Sequence, residues 1–376
     1  MIPWIASRLI NFSDVLNRVF DPFEKTYYPE YVTDLKALDS QFYQHMIEKF
    51  VEDGKFRYQL PMPPDHGDEA LYQGFYLALE CIRPGSEMVK SQQALIALSN
   101  LFDQGRLMRG KNIDGTWNDT TSNDSATGAI FGLHHAIRMN MIGARTILSL
   151  WVSNIVKNEY ALVDLNNKPT KYGKLEDGIK SDPLRITLLL AILKEASFID
   201  GKFETHYKKL YKKYYDFLAY PKVKIFWLDT EYDTQRAAIH LNILYTLTKD
   251  EVYKQGLRRL HKICWKSNNA FVEALCAGAV PSCELDFDIL KTFTLQHKLK
   301  GNVETINSDW APQVKWGKHI RCAYALPIDK RGSQEFLWSR NMFSLDEWVG
   351  FKEPVVYHSG LDYLLAYNIA LTQNLL

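Results

Sequence analysis

This chain of 376 residues offers few of the features that assign a function at a glance. Its longest uninterrupted apolar run, around Leu188 to Leu193, is far too short to cross a bilayer. The amino terminus has apolar residues at helical spacing, but Arg8, Asp14 and Arg18 interrupt them and no small-residue cleavage site follows, so it does not read as a signal peptide. A soluble, cytoplasmic protein is expected. Neither sign of charge dominates: 45 Lys plus Arg stand against 44 Asp plus Glu, with no long run of either. That excludes the basic footprint of a nucleic-acid or anionic-membrane binder. The five cysteines, Cys81, Cys264, Cys276, Cys283 and Cys322, are odd in number and lack CxxC spacing, which argues against a zinc site or disulfide framework and for buried free thiols in a reducing compartment. There is no GxSxG elbow, phosphate-binding glycine loop or dinucleotide fingerprint. GKNIDG and GKLEDG read as turns, and no cofactor or metal is expected.

What the chain does have is helix. The apolar fraction of 46% suffices for a large core. Periodicity and breakers predict helices over 36–52, from 65–68 to 83, 88–103, about 125–138, 142–157 and 184–197. Further ones are read at 203–219, 233–248, 250–265, 268–279, 285–296 and about 360–371, with strand-like alternation only at 159–164 and 320–326. That makes about twelve, alternately amphipathic and apolar. Three loop-to-helix junctions share a plan: Asp68 before EALYQGFYLALE, Asp124 before SATGAIFGLHHAI and Asp182 before PLRITLLLAIL, at intervals of 56 and 58 residues. A helical hairpin of about 57 residues is the repeating unit. Six such hairpins closed on themselves, apolar helices inside, would bury the inner helices on every side; an open superhelical array is the rival. Residues 36–376 are expected to form one all-α domain, an (α/α)6 toroid with long rim loops, and residues 1–35 a tyrosine-rich arm that associates with a second copy or a partner.

The junctions DHGDEALYQGFYLALE and WNDTTSNDSATGAIFGLHHAIR, the loop LVDLNNKPTKYGKLEDG and the segment LPIDKRGSQEFLWSRN resemble six-hairpin, (α/α)6-toroid proteins of the glycosidase-like superfamily. The likeness is one of architecture and loop style. It implies a carbohydrate substrate, an oligo- or polysaccharide, with hydrolases, lyases and epimerases among the reactions such folds carry.

Inverting glycoside hydrolysis needs two carboxyls about 6.5 to 9.5 Å apart across the scissile bond. Inner-helix starts gathered at one rim would supply Asp68 and Asp124 as the acid and base pair, with Asp119 in reserve and Glu69 and Asp114 behind them. Against this stands capping. An Asp at a helix start accepts hydrogen bonds from free first-turn amides, which would account for Asp182 before Pro183, for Asp68 beside Asp65, and for Asp124. His134 falls at the edge of the buried face of its helix and His135 away from it; a satisfied semi-buried His134 is the expectation, a base or substrate-binding His134 the alternative. Arg109 and Trp117 make the loop before that helix unlike the other junctions. Trp117, Trp310, Trp316 and Trp338 suit sugar rings, or else pin long loops. Glu335, Trp338 and Arg340 could clamp a sugar carboxylate, and a lyase acting on uronic acids would find a base in Tyr72, Tyr172 or His134. A non-catalytic glycan-binding or assembly protein is the reading from outside enzymology.

Overall fold

The computed structural model describes residues 34–60, 67–112, 114–178, 182–220, 231–293, 313–316, 319–322, 324–325 and 357–376. Eleven α-helices occur among them: α1 (Leu35–Phe50), α2 (Glu69–Ile82), α3 (Met88–Ser99), α4 (Asn123–Arg138), α5 (Ala144–Lys157), α6 (Pro183–Ser197), α7 (Lys202–Leu218), α8 (Glu231–Thr248), α9 (Glu251–Cys264), α10 (Ala270–Cys276) and α11 (Leu361–Thr372). The chain is all-α, as its periodicity predicts, with small antiparallel strand pairs between helices. Of the helix expected over 285–296, residues 294–296 lie outside the described residues, and the described part holds a 3-10 turn, Asp288–Thr292, in place of an α-helix. There the Asp286 carboxylate takes the Asp288 amide, an interaction that competes with helix.

The helices fall into two kinds. In α9 the buried positions, Val252, Tyr253, Gly256, Leu257, Leu260, His261 and Cys264, form one stripe at helical spacing. In α2 every residue from Glu69 to Cys81 is buried, and α11 is buried from Leu361 to Ala370. Such helices have neighbours on all sides. Helix α2 packs on α4, α4 on α6, α6 on α8, α8 on α10, α10 on α11, and α11 returns to α2. The amphipathic helices lie against these six: α1 on α11, α3 on α2, α5 on α4 and α6, α7 on α6, α9 on α8 and α10.

The α2–α4 contact is the closest. A Cβ added to Gly74 would stand 2.0 Å from the Gly128 carbonyl oxygen, and one added to Gly128 2.2 Å from that of Leu71. Gly74 and Gly128 let the two backbones touch, which draws the two helix starts together.

The connections differ at the two ends of the inner helices. Chain entering α2 and α4 does so through two-residue hairpins, Val51–Glu52 with Lys55–Phe56 and Phe102–Asp103 with Arg106–Leu107. Their turns, Asp53-Gly54 and Gln104-Gly105, have positive φ at both positions, the twist a tight antiparallel hairpin requires. The Asp53-Gly54 pair thus turns a hairpin, and α1 ends before it with Val51 as its C-cap. A second hairpin, Gly110–Lys111 with Trp117–Asn118, precedes α4, and Ala161–Val163 with Pro169–Lys174 precedes α6. Strands Gln313–Trp316 and His319–Cys322 also pair. At the opposite end the returns are short, as at Asp250 between α8 and α9.

Candidate functional site

Of the three repeated aspartates only Asp182 behaves as a cap, its carboxylate accepting from the Leu184 amide at 3.0 Å ahead of Pro183. Helix α4 starts two residues earlier than its apolar periodicity suggests. Its cap is Ser122, bonded to the Ser125 amide, so Asp124 lies in the first turn with its carboxylate free of capping. Asp68 occupies the N-cap position of α2 without a capping hydrogen bond from its side chain. Both carboxylates are held instead by arginines from other elements.

Arg109 bridges to Asp68 at 2.9 Å through Nη2 and donates through Nε to the Gly67 carbonyl. Its own carbonyl accepts from the Ala70 amide at 3.0 Å, so the bend that carries Arg109, just before the Gly110–Lys111 strand, is sewn to the first turn of α2. Glu69, next along, is buried; it pairs with Lys55 at 2.8 Å and accepts from the Lys111 amide at 3.0 Å. It ties two hairpins to α2 and has no face left for substrate. Asp68, by contrast, keeps its side chain 34% exposed.

Asp124 pairs with Arg236 of α8, which also holds Asp233 one turn earlier at 2.6 Å. Burial opposes the charge on Arg236, yet the carboxylates of Asp124 and Asp233, with Asp182 further off, outweigh it and hold its pKa above the usual arginine value. Directly inward, His240 lies between two hydroxyls: Thr127 Oγ1 is 2.9 Å from Nε2 and Thr187 Oγ1 is 3.3 Å from Nδ1. Burial, and secondarily Arg236, push the His240 pKa well below its ordinary value, so it is neutral. Helices α4, α6 and α8 thereby share a polar file running from Asp124 into the core. Sequence reasoning passes over Asp233, Arg236 and His240. Their spacing, one and then two helical turns along one face of α8, was the available signal.

The remaining loop residues serve the rim. Asp119 accepts from the Leu165 amide at 3.2 Å and so fastens its loop to the 161–174 hairpin. Asp114 is exposed and turned upon Thr116, whose amide and hydroxyl lower its pKa. Trp117 is half-buried against the core with the Lys111 ammonium 4.6 Å from its ring centre. Tyr172 is 46% exposed at the same rim, its carbonyl taking the Asn123 side-chain amide at 2.8 Å. Tyr72 is buried and stacked on Tyr58 at 4.5 Å, away from any solvent-facing base role.

His134 is not part of this group. It lies ~15 Å beyond Asp124 along the same helix, at 1.5 Å rise per residue. It is buried, with Nδ1 2.6 Å from Glu195 Oε2 of α6. The expectation of a semi-buried edge position gives way to full burial because α4 has neighbours all round. His135 is the half-buried one, its edge 4.9 Å from the Phe131 ring centre. Cys81, Cys264 and Cys276 are buried and in no disulfide, but Cys283 is exposed. Trp310, Glu335, Trp338, Arg340, Asp65 and residues 1–33 of the arm lie outside the described residues, as does the side chain of Trp316. No helix among the described residues is long and apolar enough to cross a membrane.

The arrangement therefore places Asp68 and Asp124 at the starts of contacting helices, paired with Arg109 and Arg236, with Trp117 close in sequence to Asp124 and Tyr172 against Asn123. Two partly exposed carboxylates, each beside a guanidinium, can accept hydrogen bonds from hydroxyl-rich molecules and take up a proton. No protein-family model matches the chain, and no curated protein matches it in sequence.

Proposed function

We propose that the closed succession of six inner helices is an (α/α)6 toroid, and that the protein acts on carbohydrate at the rim where those helices start, most simply as a glycoside hydrolase. The observation that carries the reading is the pair Asp68 and Asp124: partly exposed, at the starts of the two most closely packed inner helices, and neither one used as a cap. An arginine favours the charged form of a carboxyl, which suits a base better than an acid. Asp124, doubly anchored through Arg236 and Asp233, is the base; Asp68 serves as acid once substrate draws Arg109 away. Trp117 and Tyr172 supply flat faces for sugar rings.

The test is turnover of an oligosaccharide panel by reducing-end release. Asp68→Asn and Asp124→Asn should each abolish it while shifting the melting temperature by only a few degrees. No turnover by the unaltered protein, together with a large stability loss in both variants, would sink the hydrolase. An unsaturated, ultraviolet-absorbing product would replace hydrolysis by elimination on uronic acids. The ion pairing also favours a second reading, glycan binding without catalysis, since both carboxylates are engaged by arginines. Saturable oligosaccharide binding without turnover, weakened by Trp117→Ala, would select it.

A further inference from the structure

The opposite ends of the inner helices enclose a cavity of about 530 Å³, within the size range of small-molecule sites. Five helices supply its wall from their last turns or the residues just beyond: α2, α4, α8, α10 and α11. Its apolar surface comes from Ile82, Phe131, Leu275 and Ile369, and its cations are Arg138 and Lys249, both exposed. Among the described residues, no Asp or Glu lines it. Glu195 approaches from behind His134 and is engaged by His134 Nδ1.

Cations in a last helical turn can simply complement the helix dipole. Here the dipole ends are largely answered by other donors. At the end of α4 the amides of Met139, Asn140 and Met141 donate to the carbonyls of His135, Ile137 and Ala136. At the end of α10 the side-chain amides of Asn242 and Gln373 donate to the carbonyls of Leu275 and Ala274, and the amides of Ala279 and Val280 to that of Cys276. With these carbonyls occupied, the two full side-chain charges dominate the mouth of the cavity.

From this juxtaposition we infer that the cavity at the C-terminal ends of the inner helices binds a small organic anion, its carboxylate or phosphate head between Arg138 and Lys249 and its apolar or aromatic body against Phe131 and Leu275. The site is independent of the rim that carries Asp68 and Asp124.

Anilinonaphthalene sulfonate, an anion on an aromatic body, is the probe. Titrated into the full chain, its fluorescence should saturate, and the Arg138→Gln/Lys249→Gln double variant should weaken binding about tenfold, a typical cost of losing charges that face an anion. Neutral phenylnaphthylamine, which shares the body without the charge, should bind both proteins equally. Decanoate and phenyl phosphate should displace the sulfonate, and the more effective of the two identifies the head as carboxylate or phosphate. Both substituted residues are exposed, so the melting temperature should not move; if it does, Arg138→Lys, which keeps the charge, is the variant to read and should retain binding. Unsaturable binding to the unaltered protein, equal affinity in the double variant, or loss of signal in Ile142→Ser, which removes an apolar side chain on the outer surface, would overturn the inference.

Discussion

Where the inner helices begin, the chain arrives through β-hairpins and the charges are paired: Asp68 with Arg109, Glu69 with Lys55, and Asp124 and Asp233 with Arg236. Where α2, α4, α6 and α8 end, the returns are short, and the cavity there carries Arg138 and Lys249 with no carboxylate among the described lining residues. The difference follows from the connections. A hairpin brings its own strand edges and turn residues, so side chains from two or three elements meet and neutralise one another. The short returns pair some charges too, Arg83 with Asp39 and Lys194 with Glu204, but leave Arg138 and Lys249 exposed at the cavity. The two ends of one set of helices can therefore hold two different chemistries, and experiments can treat them separately.

The largest expected effect falls on what holds the helix starts together. Gly128→Val would drive a side chain into the Leu71 backbone, 2.2 Å from its carbonyl oxygen. The whole fold should lose more than ~3 kcal/mol in urea unfolding, the scale of severe core substitutions. If Gly128→Val left stability intact, the account of how α2 and α4 pack would fail. Next comes Arg236→Leu. Asp124 and Asp233 would face each other at the rim without their shared cation, at a cost of about 2 kcal/mol after allowance for partial exposure, whereas Asp124→Asn leaves Arg236 its Asp233 partner and should cost much less. Equal losses in the two variants would mean that Asp233 contributes nothing.

The pH dependence gives a third measurement, and it spans both ends. His240 near the rim and His135 beside the cavity both have pKa values held well below the ordinary 6.5, the first by burial and Arg236, the second by burial, His134 and Arg138. Protons bind the unfolded chain more readily at these sites. Their contribution to stability is therefore complete above about pH 6.5 and falls as the pH drops below it, by at most ~1.4 kcal/mol per pH unit for each group. Melting temperature should decline between pH 6.5 and 5, and His240→Asn should shallow that decline. A flat profile would show that these histidines are solvated. The smallest effect separates the aspartates: Asp182→Ala should cost ~1 kcal/mol for a lost cap, and Asp68→Ala less, since its side chain caps nothing.

Much of this was legible in the residues. The helix spans over 69–82, 183–197 and 361–372 follow from periodicity and from the breakers at their ends, and Asp182 before Pro183 reads as the cap it is. The hairpins turned at Asp53-Gly54 and Gln104-Gly105 escape the sequence reading, which runs helices over 36–52 and 88–103, because a strand of two residues has no alternation to betray it. Cys283 shows the opposite failure: an apolar composition does not say which short loop stays at the surface.

Local sequence determined the helices, their amphipathic or all-apolar character, and the spacing of the starts at Asp68, Asp124 and Asp182, because propensity, caps and burial pattern act over a few neighbouring residues. What those aspartates do was decided only by tertiary structure. Arg109 reaches Asp68 from 41 positions away and Arg236 reaches Asp124 from 112, so no window around either aspartate contains its partner. The cavity at the other end is decided in the same way, since its wall is assembled from five helix termini that meet only when the helices pack.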